Sequence, residues 1–203
     1  MSRISIVDCG INNLRSVEKA LISLGHQVDV VNTAAQVENA SHLILPGVGA
    51  YGAAMSALEE SGMMDAVLDH AASGKPFLGI CLGMQLLFDW SEELGLRQGL
   101  GILSGKVVRF PQFPDLKIPH MGWSALQFPH ESRLFAGVDA GEMVYFVHSY
   151  YVCPDENKIV AATCKHGIEF TAAVERGNLA AVQFHPEKSS RVGLKILDNF
   201  AKF

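Results

Sequence analysis

Cys81 stands between two glycines in Gly79-Ile80-Cys81-Leu82-Gly83, a G-x-C-x-G pattern. The same spacing around a serine makes a nucleophile elbow. There a strand turns sharply into a helix, and the residue at the bend is held in a strained conformation with its side chain presented. Glycines two before and two after remove side chains that would collide in the bend. The following helix points its N-terminus at the thiol, and that dipole favours the thiolate. The five residues also fit a buried structural cysteine in a tight strand-to-helix turn. Far along the chain, Gln183-Phe184-His185-Pro186-Glu187 follows an apolar run. In extended backbone, residues i and i+2 point the same way. Glu187 can then orient the His185 imidazole, while Pro186 stiffens the segment and adds no competing N–H. His-x-Glu alone is commonplace among surface polar residues. Joined to the elbow, it supplies the base and the orienting acid of a Cys-His-acid set, which attacks a carbonyl carbon covalently.

Other motifs point less far. Gly47-Val48-Gly49-Ala50-Tyr51-Gly52 matches the G-x-G-x-x-G of dinucleotide sites. Its context opposes that use: it follows the third strand rather than the first, Pro46 removes a backbone donor, and no acid ends the next strand. The glycines still matter, because their backbone N–H groups can face an anion or oxyanion. Metal chemistry is not expected. No H-E-x-x-H occurs, and His-x-Glu lacks the P-C-x-x-C partner of zinc deaminases. Gly74-Lys75 and Gly105-Lys106 each lack the rest of a phosphate loop. No cofactor is expected either.

The elements that must position these residues alternate in the first half. Strands are expected at Ile4 to Val7, Val28 to Val31, His42 to Leu45 (stopped by Pro46) and Phe77 to Ile80. Between them lie a helix with Leu14, Val17, Leu21 and Leu24 on one face, capped by Asn12 and Asn13, and a helical stretch with Met64, Val67, Leu68 and Ala71 aligned, interrupted near Ser61-Gly62. Leu82 to Trp90 is expected to continue as helix. The rhythm implies parallel strands with helices on both faces. The second half reads as strands at Met143 to Val147, Ile159 to Cys164, Phe170 to Val174 and Leu179 to Phe184, with a hairpin turn at Gly177-Asn178 and a closing helix burying Ile196, Leu197 and Phe200. No boundary is visible, so residues 1–203 are expected to form one domain around one mixed, mostly parallel sheet extended by antiparallel strands. Ligands on such sheets sit beyond the carboxyl ends of the parallel strands, which again points to the residues after Leu45 and Ile80.

Bulk properties exclude several classes. A length of 203 residues with 49% apolar and 18% charged residues is globular composition. Sixteen basic against 21 acidic residues leave a charge of −5, which argues against nucleic-acid binding. No apolar run is long enough to span a membrane, and the first, Ile4 to Val7, is too short for a secretory signal. Four cysteines (Cys9, Cys81, Cys153, Cys164) lie far apart without a C-x-x-C. A disulfide framework is not expected, and the chain reads as cytoplasmic.

Pro46 to Gly49 (P-G-V-G), Gly79 to Gln85 (G-I-C-L-G-M-Q) and His185 to Glu187 (H-P-E) resemble the class I, triad-type glutamine amidotransferases. Pro119 to Trp123, Val147 to Tyr150, Phe170 to Val174, Asn13 to Val17 and Gln183 to Ser189 narrow the resemblance to the glutaminase subunits of imidazole glycerol phosphate synthase. The resemblance implies the three-layer, flavodoxin-like α/β fold of that family. It also implies hydrolysis of L-glutamine by Cys81 as nucleophile, His185 as acid and base, and Glu187 as orienting acid. It places the oxyanion on the backbone N–H of Leu82 and one from Val48-Gly49, with a peptide flip in Gly47-Val48-Gly49 as the device that completes it. Gly49, Gln85, Ser149 and Tyr150 would bind glutamine. Ammonia would pass to a (β/α)₈-barrel cyclase subunit, docked through Trp123 and Lys188, in histidine biosynthesis. The rival readings are the glutaminase of another ammonia-channelling synthase, such as pyridoxal phosphate synthase, and a non-catalytic regulatory protein on the same fold. Two departures stand out: Asp8-Cys9-Gly10-Ile11-Asn12-Asn13 in place of D-Y-G-x-G-N, and Ser124 where an Asn commonly follows the Trp.

Overall fold

The first four strands alternate with helices because their apolar runs are short, β-branched and buried on both faces, which only a helix-covered parallel sheet satisfies. In the computed structural model, which describes residues 2–10, 14–114 and 116–203, these are β1 (Arg3–Val7), β2 (Gln27–Val31), β3 (His42–Gly47) and β4 (Phe77–Cys81). Helices α1 (Leu14–Ser23), α2 (Ala34–Glu38), α3 (Tyr51–Glu60) and α4 (Met64–Ala72) connect them. The caps expected at Asn12 and Asn13 lie outside the described residues. Pro46 does not stop β3, which runs one residue further and keeps Pro46 and Gly47 beside Ile80 and Cys81.

Later strands complete a seven-stranded sheet. β11 (Val160–His166), β12 (Ile168–Arg176) and β13 (Leu179–Val182) add to β4 in the order β11-β12-β13-β4-β3-β1-β2. β13 returns parallel beside β4, and the other two are antiparallel. Gly177 turns between β12 and β13 at φ 62°, as the hairpin signal implies. Alternate residues face two layers. Ile44, Ala180 and Val182 join Val17 and Leu21 of α1 and Phe200 of α6 (Ser190–Phe200). Leu43, Leu45 and Ala181 join Leu58 of α3 and Val67 of α4. The mixed, mostly parallel α/β sheet with an antiparallel extension is therefore present.

Two expectations fail here. Leu82 to Trp90 is not one helix: α5 spans Leu82–Leu86, and β5 (Phe88–Ser91) follows. Long-range partners win over helix continuation, because Leu86 and Leu87 give their carbonyls to the N–H groups of Leu100 and Leu103. β5 then joins β6 (Arg97–Gln98), β7 (Leu103–Arg109) and β10 (Tyr150–Pro154) in a four-stranded sheet. Nor does the whole second half enter the main sheet. β9 (Met143–His148) pairs antiparallel with β8 (His120–Ala125) in a separate two-stranded ribbon. Alternation splits this ribbon cleanly. His120, Phe146 and His148 are buried on its inner face, while Met121, Trp123 and Met143 are exposed on its outer face.

α5 lies so close to β3 that glycine is required: a Cβ on Gly83 would overlap the carbonyl oxygen of Leu45. Gly83→Ala is therefore expected to lower unfolding free energy by about 2–3 kcal/mol, measured by urea denaturation. An unchanged midpoint would show that the β3–α5 approach is not tight.

Candidate active site

β4 ends at Cys81 and α5 starts at the next residue, so the thiol lies at the carboxyl edge of the sheet. Cys81 adopts φ 56° and ψ −110°, a conformation that costs a non-glycine residue about 1–3 kcal/mol. Surrounding backbone holds it there. A Cβ on Gly79 would meet Gly83 O at 3.0 Å, and one on Gly47 would meet Gly83 N at 2.9 Å. The bend expected from G-x-C-x-G is thus built by three glycines, one of them on the neighbouring strand.

β13, lying beside β4, delivers the base. Beyond Val182, the buried Gln183 brings Nε2 to 3.8 Å from Cys81 Sγ and accepts from Gln85 Nε2 at 3.0 Å. His185 follows, fixed by its N–H to Tyr145 O at 2.9 Å. The chain does not stay extended past it, as the i,i+2 argument supposed. A 3-10 turn over Pro186–Lys188 folds Glu187 back instead, and Oε1 meets His185 Nδ1 at 2.8 Å, with side chains only 3% and 5% exposed. Glu187 Oε2 has no partner among the described residues, so the imidazole is the carboxylate's one hydrogen-bond partner. With Nδ1 so used, Nε2 is the nitrogen that serves Cys81.

Burial by itself would lower the His185 pKa. Hydrogen bonds to Cys81 and to Glu187, together with the negative charge of both, outweigh burial and raise it to about 9. The imidazole is therefore held as imidazolium between the Cys81 sulfur and the Glu187 carboxylate. It is charged to protonate a leaving group and placed to recover that proton later.

These groups line one cleft of about 360 Å³. Its walls include Val48, Gly49, Cys81, Leu82, Gln85, His148, Ser149, Tyr150 and His185. Every residue proposed for nucleophile, base, oxyanion and substrate is gathered there except Glu187, which stands behind His185. Gly49 takes φ 94°, a region open to glycine, so the Gly47-Val48-Gly49 segment can present N–H groups toward the thiol. Gln85 gives both amide hydrogens away, to Gln183 Oε1 and to Tyr150 O at 3.1 Å. Its Oε1 is what remains to offer a ligand.

A sequence model of class I glutamine amidotransferases matches residues 5–202. The chain belongs to this family. Among curated members, it is 52% identical over 202 residues to imidazole glycerol phosphate synthase subunit HisH of Syntrophotalea carbinolica, covering 97% of this chain and 98% of that one. It is 48% identical to the HisH subunit of Moorella thermoacetica, covering 100% and 95%. Solved structures of lower identity share the fold. One titled glutamine amidotransferase superposes with a TM-score of 0.75 at 21% identity, covering 98% of this chain and 99% of that one. PurLQS of Thermotoga maritima gives 0.75 at 18%, covering 100% and 99%.

Within this amidotransferase domain, three residues in or behind the cleft wall received no role of their own from the motif reading. Gln183 was read only as part of a motif; a glutamine closing an otherwise apolar strand is the signal. Glu93 lines the cleft, and its carboxylate accepts from Tyr51 N at the start of α3 at 2.6 Å. It lies in a loop without pattern. His148 is hidden in an aromatic strand. Trp123 and Lys188, in contrast, are exposed and line no part of the cleft. They are linked through β9: Trp123 packs edge-on against Tyr145, whose backbone N–H reaches Ser189 Oγ, next to Lys188, at 2.9 Å.

The raised pKa has a sign. A free histidine titrates at 6.5 and His185 at about 9, so the charged form stabilises the fold fully below about pH 6.5, and that contribution is lost as pH rises through 9. Glu187→Gln is expected to lower the His185 pKa, read by imidazole NMR titration, and to flatten the loss of stability between pH 6.5 and 9. An unshifted titration would show that Glu187 does not bear on the imidazole.

Proposed function

We propose that this chain hydrolyses glutamine to glutamate and ammonia with Cys81, His185 and Glu187, as the glutaminase subunit of imidazole glycerol phosphate synthase. One observation carries the reading. A charged His185–Glu187 pair is sealed behind a strained cysteine in a glutamine-sized cleft, in a chain about half identical over its length to curated subunits of that synthase.

The geometry supports the following course. Cys81 thiolate attacks the side-chain carbonyl carbon of glutamine. The resulting oxyanion lies at the start of α5, where the Leu82 N–H and one N–H from Val48-Gly49 stabilise it; one such donor is worth about 3–4 kcal/mol. His185 Nε2 gives its proton to the leaving nitrogen, so ammonia departs and a thioester remains. The imidazole, now neutral, draws a proton from water as the hydroxyl attacks the thioester. Glutamate leaves, and thiolate and imidazolium are restored. Gln85 Oε1, Ser149 Oγ and the Glu93 carboxylate are the polar groups available to the amino-acid end, with Glu93 facing the ammonium.

Ammonia released into water would be protonated and lost as a nucleophile, so the reading includes a (β/α)₈-barrel cyclase partner working beside this chain in the cytoplasm. The outer face of the β8–β9 ribbon fits its docking. Met121, Trp123 and Met143 are 64%, 49% and 43% exposed there, an apolar patch of the kind found at the centre of interfaces, and the exposed Lys188 follows in the turn that β9 holds. No described helix is long and apolar enough to cross a membrane.

Glutamate release by the purified chain, alone and with a cyclase subunit and its nucleotide ligand, tests the reading. Low activity alone and a large rise in the complex are expected, with at least about a thousandfold loss in Cys81→Ala. Strong activity alone would keep the triad and remove the dependence on a partner. Silence in a confirmed complex would leave only the fold. Trp123→Ala should weaken the complex at least about tenfold, read by titration calorimetry; an unchanged affinity would move the docking face elsewhere.

A further inference from the structure

The inner face of the β8–β9 ribbon carries a polar chain that none of the steps above uses. His148 Nδ1 lies 2.7 Å from Tyr150 O, His148 Nε2 lies 3.0 Å from His120 Nδ1, and His120 Nε2 lies 2.9 Å from Ser124 Oγ. The carbonyl at one end can only accept, and this fixes every proton. His148 must carry its proton on Nδ1, so its Nε2 accepts. His120 must then carry its proton on Nδ1, so its Nε2 accepts in turn. Ser124 must donate. The chain therefore has a direction, from Ser124 inward to Tyr150, and it exists only while both imidazoles are neutral.

The surroundings enforce neutrality. Burial, with repulsion from His166, lowers His120 to about 4. Burial, together with repulsion from His120, His166 and His185, outweighs the Tyr150 bond and lowers His148 to about 3. The His120 ring is also clamped flat, between Phe146 at 4.8 Å and His166 at 4.1 Å. His166 cannot join the relay through Nε2, which donates to Lys117 O at 3.0 Å.

The inner end reaches the cleft. Tyr150 O accepts from His148 and also from Gln85 Nε2, and Gln85 continues through Gln183 to Cys81 Sγ. We infer that Ser124, His120 and His148 are positioning residues for glutamine: their one-way hydrogen-bond chain holds the Tyr150 carbonyl, and with it Gln85 and the Ser149–Tyr150 wall, in the substrate-binding arrangement. The inference rests on the glutaminase reading and deepens it. It also gives the departure at position 124 a content. A serine hydroxyl serves because the position requires a donor, and an asparagine amide would serve equally.

Ser124→Ala and Ser124→Asn test this in the full chain. Imidazole ¹⁵N NMR of the wild type should show both His120 and His148 protonated on Nδ1. Ser124→Ala should keep those tautomers, which the Tyr150 carbonyl sets, but shift the ¹⁵N resonance of His120 Nε2, left without its donor, and Ser124→Asn should restore it. In the complex with the cyclase subunit, Ser124→Ala should raise the glutamine KM about fivefold, the worth of one ordinary hydrogen bond, with kcat within about twofold, and Ser124→Asn should restore KM. An unshifted His120 Nε2 resonance in Ser124→Ala, a fall in kcat at unchanged KM, or an asparagine no better than alanine would each overturn the proposal. A wild type that turns over no glutamine while its tautomers are as assigned would overturn the glutaminase reading instead.

Discussion

A non-glycine residue at φ 56° and ψ −110° does not persist unless its neighbours leave it no alternative. Cys81 is in that position, and much of the domain can be understood as the means of keeping it there. Gly47 and Gly79 let α5 press against β3 and β4, Gly83 removes the side chain that would hold it off, and the parallel pairing of β4 with β3 and β13 fixes the strand from both sides. Strain in the thiol's backbone and tightness in the sheet are therefore one fact. Relaxing the contact between α5 and β3 would release the bend and turn the sulfur away from the imidazole.

The cleft is also more polar behind its walls than at its surface. Gln85, Gln183, His120, His148, His185 and Glu187 are buried together, where each unsatisfied group would be expensive. They are arranged so that donors meet acceptors in sequence and charge is confined to one end. His185 is held above its ordinary pKa by Cys81 and Glu187, while burial holds His120 and His148 far below it. One buried region thus keeps a charged imidazole and two neutral ones, and the difference is set by which side chains carry negative charge nearby.

Much of this was legible in the sequence, and the parts that were not have physical reasons. Glycines around Cys81 and the His-Pro-Glu run are local signals, and they pointed to residues that the fold brings together. The βα alternation of the first half is likewise local. The β8–β9 ribbon was half invisible, because β8 buries His120, keeps Ser124 half-buried and exposes Met121 and Trp123, the reverse of the apolar-in pattern that marks a strand. The end of α5 was misread because the groups that stop it, the N–H donors of Leu100 and Leu103, come from further along the chain. Glu187 was paired correctly with His185, but through a 3-10 turn rather than an extended strand.

β13 sits between β4 and β12, yet it is made after both. This order has a consequence for synthesis. A ribosome-bound chain can assemble β1 to β4 and the thiol's bend long before the imidazole exists, because Gln183, His185 and Glu187 follow Cys81 far along the chain. Until β13 inserts, Cys81 has no imidazolium beside it and no hydrogen-bond donor from Gln183. Long-range pairing of this kind closes late. The nascent protein thus passes through a stage in which Cys81 is in place without its partners, and the Cys-His-Glu set is completed in one step when β13 inserts.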